Sequence, residues 1–271
     1  MPIAQVNGIK LYFEEAGNGP PLIWVHGFSC GLRSWDPQVQ DFRAARRVIT
    51  YDVRGFGLSE APERPTAYSQ DISVADLAAL LEHLGIARAA VGGLSMGGNI
   101  ALNFTLAYPE RVQALIIADT GAGSDDTDEW VAGAHRYADA AEHGGVEAFA
   151  DLACANPLFA RYIEQGPEHE RFIRSCLMTH RARGIAHTAR EVLSKRPTIY
   201  SLEGKLRELR IPTLLIVGEH DTPCVKVHEF MARTIPGARS VVIAGVGHLS
   251  NLEAPEVFNA HVRRFLDDVV Q

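Results

Sequence analysis

Short apolar runs recur along the chain, separated by amphipathic stretches. Residues 22–25, 47–51, 87–91, 112–118, 213–217 and 240–244 are rich in Val, Ile, Leu and Ala and carry little polar alternation. Continuous runs of this length predict strands buried on both faces of a parallel sheet. Residues 9–15 alternate apolar with polar and predict a half-buried strand. Val74, Leu77, Leu81 and Leu84 fall at helical spacing and stop at Gly85, a common helix terminator; residues 99–107 also read as a helix. Strands alternating with helices predict an α/β fold, its mostly parallel central sheet covered on both faces.

One region breaks this rhythm. Residues 121–202 contain no convincing strand, and their composition shifts toward Ala, His, Arg and Glu at helical spacing. Asp125, Asp126, Asp128 and Glu129 precede a helical run, where acids suit the N-terminal end of the helix dipole. A calcium loop would need a glycine at its sixth position, and none stands there. The pattern predicts a core in two parts, 1–120 and 203–271, interrupted by a helical cap at 121–202. Such a cap would lie over the carboxyl edge of the sheet, where ligands bind in open α/β folds.

The chemistry concentrates in Gly93-Leu94-Ser95-Met96-Gly97, between an apolar run and a helical one. A Gly-x-Ser-x-Gly turn at a strand–helix junction is so tight that the serine is strained and its hydroxyl stands at the tip. A Cβ at either glycine would clash with the neighbouring strand or helix. The following helix presents free N–H groups to a developing anion. The motif therefore points to a nucleophile that attacks carbonyl carbon. A serine hydroxyl needs a base, and the base an orienting group. His248, in the loop Gly245-Val246-Gly247-His248 beyond an apolar strand, is the candidate base. Asp221, just past residues 213–217, is the candidate acid; Asp119 is its rival and Glu219 a third choice. Among the other histidines, His83 reads as exposed on a helix. His135, His143, His169, His180 and His187 lie in the cap as solvated or substrate-lining groups, and His228 and His261 fall on helices. The backbone N–H groups of Met96 and Phe28 are candidate oxyanion donors. Ser29, Cys30 and Trp130 are candidate substrate-lining residues.

Composition narrows the picture further. The chain has 271 residues, 46% of them hydrophobic, enough for a sizeable core, and a net charge of −7 that argues against a nucleic-acid surface. No apolar run approaches the ~20 residues needed to span a membrane. Residues 1–8 lack the basic-then-apolar pattern of a secretion signal. The four cysteines, Cys30, Cys154, Cys176 and Cys224, have neither metal nor redox spacing and read as free thiols of a reducing compartment. The expectation is a cytoplasmic protein, monomer or homodimer, acting on a small molecule without metal or cofactor. Glu219-His220-Asp221 resembles a metal cluster only in one dimension, because adjacent residues at a strand end point apart. Asp52-Val53-Arg54-Gly55-Phe56-Gly57 lacks the third glycine and following helix of a dinucleotide loop and reads as structural, with Arg54 as a bridge between carboxylates.

Taken together, His26-Gly27-Phe28, Asp52-x-Arg54-Gly55-x-Gly57-x-Ser59, Gly93-x-Ser95-x-Gly97-Gly98, Asp221 and Gly247-His248 resemble the α/β-hydrolase superfamily along nearly the whole chain. Leu94-Ser95-Met96-Gly97-Gly98 and Leu32-Arg33-Ser34-Trp35 resemble its branch of 3-oxoadipate enol-lactonases and cofactor-free haloperoxidase-like esterases. The Trp-x-x-Arg of those lactonases is absent, since Trp130 is followed by Val131-Ala132-Gly133. The resemblance implies a serine carboxylesterase with a Ser95-Asp221-His248 triad. Alternatives within the fold are an enol-lactone hydrolase, served by a cationic cap side chain, and a carbon–carbon hydrolase of ring-fission products. A ligand receptor derived from a hydrolase is the reading from a different class.

Overall fold

A computed structural model describes residues 2–28 and 30–270. The apolar runs pair into one eight-stranded sheet: β1 (Ile3–Val6), β2 (Ile9–Ala16), β3 (Pro21–Val25), β4 (Arg47–Tyr51), β5 (Ala89–Leu94), β6 (Val112–Ala118), β7 (Thr213–Gly218) and β8 (Arg239–Ile243). Their spatial order is β1-β2-β4-β3-β5-β6-β7-β8. From β4 to β8 all neighbours are parallel; β2 runs antiparallel to both β1 and β4. β5 and β7 are buried at every position, as covering both faces requires. β8, at the edge, leaves most of its residues in contact with water.

The helices are α1 (Asp36–Phe42), α2 (Gln70–His83), α3 (Met96–Ala107), α4 (Thr127–Cys154), α5 (Pro157–Ile163), α6 (Pro167–Leu177), α7 (Ala182–Thr188), α8 (Glu203–Glu208), α9 (Thr222–Thr234), α10 (Ser250–Glu253) and α11 (Pro255–Val269); α2, α3, α9 and α11 pack on the strands, whereas α4 to α7 pack on one another. Between β6 and β7 the described residues form helices and turns and no strand. α4 is broken at Gly145, where φ reaches +72°. No helix among the described residues is long and apolar enough to cross a membrane.

Several elements differ from the sequence expectation, and at the tight turn β5 runs on to Leu94 and α3 begins at Met96, closing on Ser95 from both sides. α2 begins four residues earlier than the apolar spacing indicates, because the Ser69 hydroxyl accepts the Ile72 N–H at 3.1 Å and starts the helix ahead of its first core residue. β1 is an additional strand, joined to β2 through Asn7 and Gly8, both at positive φ. Asn-Gly is the preferred pair for a two-residue hairpin turn, so the signal was there, though four residues of alternation are too few to stand out.

The strand order turns back on itself at β3, which pairs with β4 on one side and β5 on the other. The loops leaving β3 and β5 part there, opening a crevice at the carboxyl edge. Packing beside it is rigid. Trp24 of β3 stacks on Trp35 at 4.4 Å between ring centroids. Arg54, after β4, donates to both carboxylate oxygens of Asp76 on α2, at 2.8 and 2.6 Å, and to the Asn7 carbonyl at 3.2 Å. Arg54 thus grips one carboxylate in bidentate fashion and does not bridge two, since among the described residues it pairs with no other acid.

Asp76→Ala would leave the Arg54 guanidinium buried and unpaired. The expected loss is about 3–5 kcal/mol of unfolding free energy by urea titration. A loss below about 1 kcal/mol would mean that the pair contributes little to holding this loop.

Candidate active site

Ser95 is the single residue between the end of β5 and the start of α3, with φ +57° and ψ −115°. A side-chain-bearing residue rarely holds that conformation, and it persists only where neighbours over-determine it. Here the Ser95 N–H donates to the Ala118 carbonyl of β6 at 2.9 Å, and its carbonyl accepts the Asn99 N–H at 3.1 Å. The flanking glycines permit the close approach. A Cβ on Gly93 would stand 2.3 Å from the Gly97 backbone, and one on Gly97 2.0 Å from the Val25 carbonyl oxygen.

His248 and Asp221 arrive from the loops after β8 and β7. His248 Nδ1 donates to Asp221 Oδ2 at 2.9 Å, with both residues buried. That bond leaves Nε2 as the acceptor nitrogen. Burial disfavours a charged His248 imidazole, but the adjacent Asp221 carboxylate outweighs it and holds the group above its ordinary value. The His248 loop is pinned by carboxylates. Glu253 accepts the Gly247 N–H at 2.6 Å and the Leu249 N–H at 2.9 Å, and Glu219 accepts the Gly245 N–H at 2.8 Å. Asp119, the rival acid, is buried at the end of β6, where it accepts the Gly218 N–H at 2.9 Å, the Ser250 N–H and the Ser250 hydroxyl. Burial and the neighbouring Asp221 charge push its carboxyl well above the usual range. Its oxygens brace the β7 end and the His248 loop, while Asp221 holds the imidazole.

The loop after β3 is fixed through His26. Its Nδ1 donates to the Gly27 carbonyl at 2.6 Å and its Nε2 accepts the Val53 N–H at 2.9 Å. Burial lowers the imidazole to about 4. Both nitrogens are occupied, so this histidine shapes the loop. Phe28 packs edge-on against Phe149 of α4 at 5.6 Å. His180 departs from the solvated or lining role expected for the histidines of this segment. It is buried, its Nδ1 accepts the Gly57 N–H at 3.1 Å, and its ring meets Phe56 edge-on, tying the segment to the loop after β4.

Ser95, Asp221 and His248 line one cavity of about 460 Å³. The Ser95 hydroxyl makes no hydrogen bond among the described residues, and such bonds are often long until substrate tightens them. The expected lining residues Cys30 and Trp130 are both in the wall; Ser29 lies outside the described residues. Tyr137, Leu158, Phe159 and Leu193 add apolar wall that periodicity alone did not single out. Of the arginines between β6 and β7, Arg136 pairs with Glu129 at 2.6 Å, Arg174 with Asp151 at 2.6 Å and Arg190 with Asp139 and Glu142. Arg161 lines the cavity and reaches only the Gly245 carbonyl, at 3.4 Å.

The model of the alpha/beta hydrolase fold family matches residues 20–255. An enol-lactonase structure from Burkholderia xenovorans superposes with a TM-score of 0.86 at 29% identity, covering 98% of this chain and 100% of that one. A malate-bound thermophilic esterase from Thermogutta terrifontis gives 0.87 at 32% identity, covering 100% and 99%. 3-Oxoadipate enol-lactonase 2 of Acinetobacter baylyi is 30% identical over 89% of this chain and 86% of its own length.

His26 carries a pH consequence. Its proton affinity in the fold, near 4, lies below the ordinary 6.5, so protons favour the unfolded chain. Its contribution to stability is whole above pH 6.5 and is lost as pH falls toward 4, a change of about 3 kcal/mol. NMR of the imidazole nitrogens should find His26 neutral, with the proton on Nδ1, at pH 5.5. Titration near 6.5 would contradict this account of the loop.

Proposed function

The chain belongs to the alpha/beta hydrolase fold family, and from that premise we propose that it hydrolyses small carboxylic esters through a Ser95-Asp221-His248 triad. The observation that carries this reading is the 2.9 Å bond from His248 Nδ1 to Asp221, beside a strained Ser95 in the same cavity. His248 Nε2 takes the Ser95 hydroxyl proton as Oγ attacks the ester carbonyl. Asp221 holds the tautomer and stabilises the imidazolium. The N–H groups of Met96, at the head of α3, and Phe28, after β3, receive the oxyanion. One such donor typically contributes about 3–4 kcal/mol in the transition state. His248 then protonates the departing alcohol. Water, deprotonated by the same nitrogen, attacks the Ser95 ester and releases the acid. In this reading residues 121–202 form the cap that shapes the acyl and alcohol sites.

Enol-lactone hydrolysis is the second reading. It is favoured by Arg161, a guanidinium at the cavity with no carboxylate partner among the described residues, where a substrate carboxylate would find a charge-assisted partner.

Ser95→Ala should cut kcat on p-nitrophenyl esters by about 10⁴-fold or more while leaving thermal unfolding intact. Esterase activity retained in that variant would sink the proposal. A panel of graded p-nitrophenyl esters, an enol-lactone and a ring-fission diketone separates the readings by their kcat/KM values. The base must be neutral to act, so kcat/KM should fall with acid through a midpoint above 6.5, the side to which Asp221 moves His248. Asp221→Asn should lower kcat by about 10²–10⁴-fold and shift that midpoint downward. An unmoved midpoint would assign the acid limb to another group.

A further inference from the structure

We propose that Asp221, Cys224 and His248 form a binding site for one thiophilic divalent metal ion, zinc or cadmium in class, and that its occupation switches the hydrolase off. A ligand atom of each residue, one carboxylate oxygen, one sulfur and one imidazole nitrogen, lies within 4.8 Å of the others, and all three residues are buried. This is a mixed O/S/N set of the kind that holds zinc, with the fourth position left to water.

A second observation points the same way. Asp221 uses Oδ2 for His248, and the Cys224 thiol is a hydrogen-bond partner of the same carboxylate, so oxygen, nitrogen and sulfur already converge there. Cys224 is placed by the first turn of α9. Asp221 stands at the N-cap, and the Cys224 N–H donates to the Asp221 carbonyl at 2.9 Å, so both side chains leave the same end of the helix. Cys224 has no task in ester hydrolysis. Burial and the adjacent Asp221 charge keep its thiol protonated, well above the ordinary range. A dication reverses that balance: one carboxylate and one thiolate neutralise it, so the filled site buries no net charge. Asp221 and His248 line the cavity, which provides the route in.

The proton bookkeeping follows from the ligands. The metal forms bonds to Asp221 Oδ, Cys224 Sγ and His248 Nδ1. The thiol proton leaves to solvent, and the imidazole proton moves from Nδ1 to Nε2. One proton is released per ion and no electron is transferred. With Nε2 protonated, His248 can no longer accept the Ser95 proton. The inhibition rests on His248 being the base; the binding does not.

The test is a titration of the full-length protein with Cd²⁺, read by thiolate-to-cadmium absorbance, by proton release in weak buffer and by p-nitrophenyl ester hydrolysis. Wild type should bind one ion, release one proton and lose activity in step. Cys224→Ala and Cys224→Ser should hydrolyse ester within about threefold of wild type in chelated buffer. Both should lose the absorbance and need at least about tenfold more Cd²⁺ or Zn²⁺ for half-inhibition. Ser95→Ala, though inactive, should keep the absorbance at unchanged affinity, which separates failure of the ester reading from failure of the site. Absorbance that survives in both Cys224 variants, arising from Cys30, Cys154 or Cys176, would overturn the proposal. So would unchanged half-inhibition, or a wild type that shows the band but keeps its activity.

Discussion

Everything at this site depends on one strained residue. Ser95 stands alone between β5 and α3 at positive φ. That conformation requires the helix to start against the adjoining strand, so neither Gly93 nor Gly97 has room for a Cβ. It also requires the hydrogen bond to Ala118 of β6, and hence a sheet in register up to its carboxyl edge. The strain is held by the interior of the sheet, where close packing resists relaxation. In return Ser95 stands at the wall of the cavity that Asp221 and His248 also line.

Around that fixed point the fold uses the same side chain in opposite ways. His26 and His248 are both buried histidines on loops leaving parallel strands. His26 faces only backbone, with a carbonyl on one nitrogen and an N–H on the other, and burial drives its proton affinity down to about 4. It is a neutral strut. His248 faces Asp221, and the carboxylate raises its proton affinity despite equal burial. The difference lies wholly in the partner, a backbone dipole or a full charge. The carboxylates divide in the same way: Asp221 serves an imidazole, whereas Glu253 spends its oxygens on the backbone of the loop that carries it and Asp119 divides its own between the end of β7 and Ser250.

The strands and the tight turn at Ser95 were legible in the sequence, because strands covered on both faces leave unbroken apolar runs and such a turn leaves glycines at fixed offsets. Edge features were less legible. β1 is four residues long, and α2 starts at a cap that precedes its apolar stripe. Contacts between distant segments were not legible at all. Nothing in one dimension places His180 against the loop after β4, or gives Arg54 a single carboxylate on α2. Cys224 is the clearest case. It stands three residues from Asp221, but its other neighbour, His248, is brought in by a different loop. Metal spacing in a sequence registers ligands on one segment and is silent about those that a sheet edge gathers.

The wall formed by α4 and α5 and the loop that carries His248 are mechanically joined. Arg161 of α5 reaches the Gly245 carbonyl and Gln165 the Glu253 carbonyl, both on the stretch that positions His248. A Cβ on Gly247 would stand 3.3 Å from the Arg161 Cβ, so the helix leans directly on the loop. A ligand that draws the Arg161 guanidinium into the cavity must therefore loosen its hold on Gly245, and the loop would then rest on Glu219, Glu253, Asp119 and the His220 N–H that bonds the Val246 carbonyl. Glu219 and Glu253 bond N–H groups on either side of Val246, at Gly245, Gly247 and Leu249. The imidazole can thus keep its bond to Asp221 while the wall above it adapts. The chemistry is anchored from below, at the strand ends, and the shape of the pocket is set from above. Side chains of α4 and α5 can accordingly change what the cavity accepts without disturbing the bond between His248 and Asp221.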